Sequence, residues 1–496
     1  MNLAVEMCNI SKYFNGKAAL EDVNFSVKKG EIHCLLGENG AGKTTLMNIL
    51  FGLYQANKGY LKLYGKNVEI KNTGDAFNHG LGMVHQHFML IENMTVLQNI
   101  ILGNEIGKYK IDYAENKKSV KKIIEQYGLD INLDEKVKNL SVGMKQRAEI
   151  IKALYRGADI LVLDEPSAVL TPKESQLLMK VLKNLQTKGM TIIFITHKLN
   201  ETMEIADRAT ILRNGKLIET VDIANETAED LATKMVGHSI AQISSHKKIN
   251  TDEVIFEIKN LKVLKNSQNT VDLKIKAGEI FGIAGVDGNG QLELEEMVMG
   301  LMKYDGEIYY KGKLLSNLST AKIKDSGIGH IPSDRFLRAI LPNMTLFENV
   351  MLGNQESDQF RNKIFVRYEK LKEYTSKILG LFNVKYSDIN QNISGLSGGN
   401  QQKLVVAREI SNDNDFILAS QPSRGLDIGA IQFIHEQFVR IRNDKKCVML
   451  ISADLDEIME MSDRIAVLYK GEIMAIDYAE NFTKERLGLL MAGRSE

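Results

Sequence analysis

The chain has no net charge, few cysteines, few prolines and no long apolar run, and these shortages rule out whole classes of function. Lys+Arg and Asp+Glu both number 63, which argues against a global polyanion-binding surface while leaving room for a local basic patch. No apolar stretch approaches the roughly 18 residues of a membrane span. The N-terminus has no basic-then-apolar signal, which predicts a chain kept in the cytoplasm. The three cysteines, Cys8, Cys34 and Cys447, are widely separated and lack metal-ligand spacing. They read as buried apolar fillers rather than bridges. Proline is scarce, at five residues, and no low-complexity tract interrupts the chain. What remains is the composition of a soluble globular protein, 44% hydrophobic and 25% charged over 496 residues. That length allows two to four domains, each with its own core.

One stretch organises the rest. Gly37-Glu38-Asn39-Gly40-Ala41-Gly42-Lys43-Thr44 reads G-x-x-x-x-G-K-T, with an apolar, strand-like run before it and Thr45-Leu46-Met47-Asn48-Ile49-Leu50 opening a helix after it. That context is what a phosphate-binding loop requires. Glycines let the backbone curl until several N–H groups converge on phosphate oxygens, and the helix N-terminus adds positive dipole. Lys43 is placed to reach the β- and γ-phosphates, and the Thr44 hydroxyl to ligate Mg²⁺.

The chain is a repeat of two halves. Gly285-Val286-Asp287-Gly288-Asn289-Gly290 superposes its glycines on those of residues 37–42 at an offset of 248. Leu396-Ser397-Gly398-Gly399 matches Leu140-Ser141-Val142-Gly143 at 256, and Pro166/Pro422 and Asp207-Arg208/Asp463-Arg464 keep that second offset. A period near 250 residues is a duplicated domain rather than a solenoid repeat. We expect domains at 1–241 and 253–496 joined by a polar linker at 242–252. The surplus of the second half, about eight residues, is expected between Asn349 and Leu396. Each half is expected to close on a hairpin, with turns at Asn214-Gly215 and Lys470-Gly471.

Other candidates lie in order along the first half. Tyr13 can stack on a purine, and a half-buried strand aromatic is an equal reading. Gln86 sits in a polar pocket of an apolar stretch. Leu140 to Gly143 put a serine cap and a glycine ahead of an amphipathic helix, which alone is an ordinary capped helix. Ile160-Leu161-Val162-Leu163-Asp164-Glu165-Pro166 is sharper: a buried strand delivers two carboxylates at its C-terminal end, where α/β sheets place ligands. Asp164 suits the Mg²⁺ shell and Glu165 the polarising of an attacking water. His197 ends another buried strand, with a γ-phosphate contact and a core histidine both open.

In this combination and order, the residues resemble the ATP-binding cassette of ABC transporters, twice over nearly the whole chain. The resemblance implies two tandem α/β phosphate-loop cassettes, each with a largely parallel sheet core and a helical subdomain. It implies ATP and Mg²⁺ as cofactors, with Tyr13, Gly37, Glu38, Asn39, Gly40, Ala41, Gly42, Lys43, Thr44 and Thr45 binding nucleotide. Thr44, Gln86 and Asp164 would hold the metal, and Glu165, His197 and Gln86 would be catalytic. Gln86 matches the family's Q-loop glutamine, Asp164 its Walker B aspartate, and His197 its switch histidine. Tandem cassettes look like the ATPases of sugar and nucleoside importers. His85-Gln86-His87-Phe88-Met89-Leu90, the loop at Gly285 to Gln291, and Ala419-Ser420-Gln421-Pro422 are similar to the nucleoside-uptake branch. Sugar importers generally keep an acidic pair at Ser420-Gln421. Two membrane permease subunits and an extracellular solute-binding (lipo)protein are implied as partners, without nucleic acid. The implied place is peripheral, at the cytoplasmic face of the cell membrane.

The second half has lost its chemistry. Gln291 stands for Lys43, Leu292 for Thr44, Ser420 and Gln421 for Asp164 and Glu165, Ser333 for Gln86, Ala453 for His197, and Leu264 for Tyr13. Its signature, Leu396-Ser397-Gly398-Gly399-Asn400-Gln401-Gln402, is intact, whereas the first half has Val142 and Met144. Cassettes of the family sandwich two ATPs head to tail, so one intact site is implied: Lys43, Thr44, Asp164, Glu165 and His197 facing Ser397, Gly398, Gly399 and the D-loop aspartate Asp427. Thr171 replaces that aspartate in the first half. Rival readings are a sugar-import ATPase and a soluble tandem-cassette ribosomal factor. Such factors usually keep two working sites and a long basic linker. A repair ATPase would require coiled-coil or zinc insertions.

Overall fold

The computed structural model describes residues 2–14, 16–85, 88–107, 111–167, 170, 172–237, 251–264, 269–286, 288–316, 318–355, 357, 359–362 and 365–494. Two compact units divide the chain, Met1–Ile240 and Ala241–Glu496.

In the first unit the apolar runs pair as a six-stranded sheet. Its order is Lys216–Asp222, Arg208–Arg213, Ile32–Leu36, Thr191–Ile195, Ile160–Asp164, Leu81–Val84. All neighbours run parallel except the edge hairpin Arg208–Arg213/Lys216–Asp222. Ile32–Leu36, Ile160–Asp164 and Thr191–Ile195 are buried along their whole length, as strands covered on both faces must be. A separate antiparallel sheet of Leu3–Phe14, Lys17–Lys28, Lys58–Leu63 and Lys66–Val68 packs beside it. Helices Val96–Ile101, Tyr113–Tyr127 and Val142–Tyr155 form the helical part. The expected α/β architecture is therefore present.

The second unit repeats the plan. Its sheet runs Ile328–Ile331, Phe416–Ser420, Cys447–Ser452, Ile280–Ala284, Arg464–Tyr469, Glu472–Tyr478. The turns fall at Asn214 (φ 51) and Lys470 (φ 47), as expected, but each unit then continues into a further helix, Ala228–Val236 or Lys484–Met491. Cys34 and Cys447 are buried, and burial pushes the Cys34 thiol up to about 12, whereas Cys8 is half-exposed.

One expectation needs correction. Ile331 follows Val84 by 247 residues, but Leu341 follows Ile91 by 250, each of the latter pair donating its N–H to an equivalent asparagine, Asn349 or Asn99. Three extra residues therefore enter before Asn349, between Ile331 and Leu341, where they make room for a one-turn helix, Arg335–Arg338. More of the surplus lies where expected, around the small ladder Arg361–Asn362/Phe365–Val366.

Candidate functional site

The glycine-rich loop leaves the C-terminal end of Ile32–Leu36, which lies between Arg208–Arg213 and Thr191–Ile195 in the middle of the sheet. Two of its glycines are required. At Gly42 (φ 104) a Cβ would come within 2.6 Å of Leu20 Cδ2, and at Gly37 within 2.4 Å of the Leu212 carbonyl oxygen. The helix Lys43–Leu50 that follows has Gly42 at its cap and no side chain capping it. Its first N–H groups are thus left for an anion. Lys43 is buried and folds back so that its ammonium donates to the carbonyls of Gly37 at 2.7 Å and Glu38 at 3.0 Å. Ala41 is fixed from below, its carbonyl accepting from Gly215 N–H at 3.1 Å.

Asp164 ends its buried strand and is itself 7% exposed. Burial pushes its carboxyl up to about 6 and the Glu165 charge adds to this, while Lys43 and the hydrogen-bonded Thr44 hydroxyl pull the other way. The Thr44–Asp164 contact joins loop and strand. Glu165 sits in left-handed backbone (φ 45), pinned by its N–H donating to Ile195 O at 3.0 Å. That twist turns its carboxylate toward the His197 ring, with Oε1 3.0 Å from Nδ1. The bond to His197 holds the Glu165 carboxyl below its ordinary range against the opposing effect of burial. A carboxylate kept ionised and oriented by an imidazole can take a proton from water.

Lys43, Thr44, Asp164, Glu165 and His197 are thus gathered at one end of the first unit's sheet. Tyr13, 38% exposed, pairs across the strands with Ala18, next to Ala19 and Leu20, which pack against Gly42. Gln86, His87, Thr171 and Asp287, four residues of the motifs singled out above, lie outside the described residues, as does most of the expected linker.

The second unit keeps the frame without the chemistry. Gln421 repeats the left-handed conformation of Glu165 (φ 46), with its N–H donating to Ile451 O at 2.7 Å. Gln291 is buried at the Lys43 position, and Leu292, at the Thr44 position, is 46% exposed. Ser420 is buried where Asp164 stood. A feature missed from sequence is a carboxylate arriving from the helix instead. Glu295, fully buried, pairs with His330 Nε2 at 3.0 Å. Burial pushes the Glu295 carboxyl up, but His330 and the hydroxyls of Ser420 and Ser333 more than offset this.

The two signatures differ in more than sequence. In the second unit Ser397 caps the helix Gly398–Ile410, and the Asp427 carboxylate lies close to Gly399, 3.5 Å from where a Cβ on that glycine would stand. Ser397, Gly398, Gly399 and Asp427 are therefore brought together. In the first unit Ser141 caps Val142–Tyr155, but Glu174 covers that terminus. Its Oε1 accepts from Gly143 N–H at 3.3 Å and from the Ser141 hydroxyl at 3.4 Å. Sequence reading missed Glu174. Comparing the halves at the 256 offset would have flagged it, because Ala430 stands opposite.

Comparison with known proteins gives this geometry its relatives. The family described as "ABC transporter" matches residues 20–168 and 268–424. The chain is 44% identical to the nucleoside import ATP-binding protein NupA of Lactococcus lactis subsp. cremoris, over 99% of this chain and 98% of that protein. It is 45% identical to the guanosine import ATP-binding protein NupO of Bacillus subtilis, over 100% and 98%. With the ribose import ATP-binding protein RbsA of Clostridium tetani the identity is 34%, over 97% and 96%.

Proposed function

The chain belongs to the ABC transporter family as an ATP-hydrolysing import subunit, and from that premise we propose that the solute it drives inward is a nucleoside. Two observations support this reading. Relatives named for nucleoside and guanosine import stand at 44% and 45% identity, against 34% for the ribose importer's subunit. Ser420-Gln421, moreover, departs from the acidic pair that sugar importers generally keep.

ATP is held on the first cassette, residues 1–241, by the loop from Gly37 to Thr45 with Tyr13 against the base. In the second cassette, 253–496 beyond the linker 242–252, Ser397, Gly398, Gly399 and Asp427 are the nucleotide-contacting residues. The observation that carries this division of roles is the asymmetry between the units. The unit with Lys43, Asp164, Glu165 and His197 has its own signature bonded to Glu174, and the unit with the intact signature sequence has lost those residues. Glu165 accepts a proton from water as the new O–P bond forms. The bond from the γ-phosphorus to the bridging oxygen breaks, and ADP keeps its electrons.

The donor set fits Mg²⁺. Asp164 is a buried carboxylate pushed to about 6 and already tied to the Thr44 hydroxyl, and a divalent cation would return it to the ionised form. Thr44 and Asp164, with Gln86, would hold the ion, which when bound neutralises charge on the phosphates. Two permease subunits and an extracellular solute-binding (lipo)protein complete the assembly, and the chain sits peripherally at the cytoplasmic face. No helix among the described residues is long and apolar enough to cross a membrane.

The test is uptake of radiolabelled guanosine, adenosine and ribose in cells with and without this chain. Loss of nucleoside uptake with ribose uptake retained is the expected result. The opposite pattern would make it a simple-sugar importer.

A further inference from the structure

In the first unit, the helices Val142–Tyr155 and Pro172–Thr187 enclose a cavity of about 170 Å³. Met144, Ile150, Leu178 and Val181 give it apolar walls, and Gln146, Arg147 and Glu174 bring polar groups to the same space. Gln146 is only 2% exposed, and its Nε2 is buried with no hydrogen-bond partner. A buried amide N–H in that state has given up water without a replacement, so an acceptor placed in the cavity would recover the loss. Glu174 already accepts from Gly143 N–H and the Ser141 hydroxyl. A carboxylate has lone pairs for a further donor.

The second unit shows what shape fits the equivalent place. At the 256 offset Phe433 stands for Leu177 and Lys403 for Arg147. The Phe433 ring packs edge-on against Phe382, with centroids 6.0 Å apart, and the Lys403 ammonium lies over it, 4.8 Å from the centroid. In the first unit Leu177, 41% exposed, supplies no ring, while Arg147 keeps the cation at the cavity. A guanidinium stacks on an aromatic face as well as an ammonium does or better. The volume suits one ring, since an engineered cavity of roughly 150 Å³ holds benzene. A plain hydrocarbon ring would leave Gln146 unpaired. The polar groups therefore select a ring with an acceptor for Gln146 and an N–H donor for Glu174, which is the lactam edge of a nucleobase.

We propose that this cavity is a binding site for a lactam nucleobase, with a ring carbonyl accepting from Gln146 Nε2, a ring N–H donating to Glu174, and Arg147 against the ring face. All of these residues belong to the first unit. The site is separate from the phosphate loop, and none of Gln146, Arg147 and Glu174 belongs to the motifs that hold ATP.

The experiment titrates uracil and hypoxanthine into the purified full chain, followed by calorimetry and by saturation-transfer NMR. Dissociation constants of ~0.1–1 mM are expected for ligands this small. Leu177→Phe, which puts into the cavity wall the ring that the second unit carries, should abolish binding. Gln146→Leu should weaken it about tenfold, the worth of one hydrogen bond. Both variants should keep the parent's melting temperature and MgATP affinity. If Gln146→Leu melts lower, Leu177→Phe on the half-exposed wall decides. Saturating MgATP should leave uracil binding unchanged. Displacement of uracil by MgATP would put the probe at the phosphate loop and overturn the assignment. Binding that survives Leu177→Phe overturns it too. So does the absence of binding by either base at millimolar concentration, the mark of a cavity that holds water alone.

Discussion

Gly399→Asp and Gly143→Asp are the same change at equivalent places in the two units, and their consequences should differ widely. The structural cost is similar for both. At Gly399 the new Cβ meets Ala430 Cβ at 3.2 Å and lies 3.5 Å from Asp427 Oδ2, so the neighbours must give by a few tenths of an ångström. At Gly143 it meets Glu174 Oε1 at 2.9 Å, the far end of a flexible side chain that can swing away. Neither glycine has positive φ, so no backbone strain is added, and each substitution should cost about 1–2 kcal/mol of stability. The effect on hydrolysis should differ because the proposed reading gives nucleotide contact to Ser397, Gly398 and Gly399 and gives none to Ser141, Val142 and Gly143. A carboxylate about 5 Å from a phosphate oxygen, at an effective dielectric constant near 20, is opposed by about 3 kcal/mol per unit charge on the phosphate. Even that single increment is more than a hundred-fold in rate. Gly399→Asp should therefore abolish ATPase activity of the assembled transporter, although it lies more than 350 residues from Lys43 in the chain. Gly143→Asp should keep most of it. Thermal melting of both variants checks that the structural costs are comparable. A reversed ranking of the two activities would refute the assignment of nucleotide contact to the second unit's signature.

Three further outcomes follow from the same geometry. Glu165→Gln should leave MgATP binding nearly intact and lower turnover at least 10²–10⁴-fold, while Gln421→Ala, on the same left-handed backbone but without a carboxylate to lose, should change little. Equal losses in ATPase rate would count against an asymmetric site. Phe88→Asp, in a segment where Met89 and Ile91 are 61% and 46% exposed, should uncouple solute uptake while ATP affinity of the purified subunit stays unchanged, and persistent uptake would show that the permease does not dock there. Glu409 bears on stability: burial opposes its charge, but Lys324, Arg408 and the His330 N–H hold its carboxyl down to about 2 from 4.5. A depressed carboxyl stabilises the fold above its unfolded value and loses that contribution as pH falls through about 2, a difference of about 3 kcal/mol. Glu409→Gln should therefore lower stability toward urea at pH 7 by roughly that amount, with the gap to the parent narrowing between pH 4.5 and 2. A gap independent of pH would mean that the pair with Lys324 and Arg408 is not its origin.

What the sequence determined by itself is the chemistry that is local in the chain. The phosphate loop is legible because its glycines, Lys43 and Thr44 act within one strand–turn–helix unit, where spacing along the chain fixes spacing in space. The same holds for Asp164 and Glu165 at the end of an apolar strand, and for their loss at Ser420 and Gln421. The 256 offset then carries each judgement from one unit to the other. Only the tertiary structure decided where charges converge between elements. Glu174 reaches the first signature from 31 residues away, and Glu295 meets His330 across 35. The three-residue insertion that sets Arg335 against Gly398 was expected further along the chain. The physical reason is that a side chain's partner across an interface depends on how helices and strands pack, and sequence spacing carries no record of that. The left-handed backbone shared by Glu165 and Gln421 shows the same division. The fold preserves the left-handed turn in both units, and the sequence alone states which of them presents a carboxylate there.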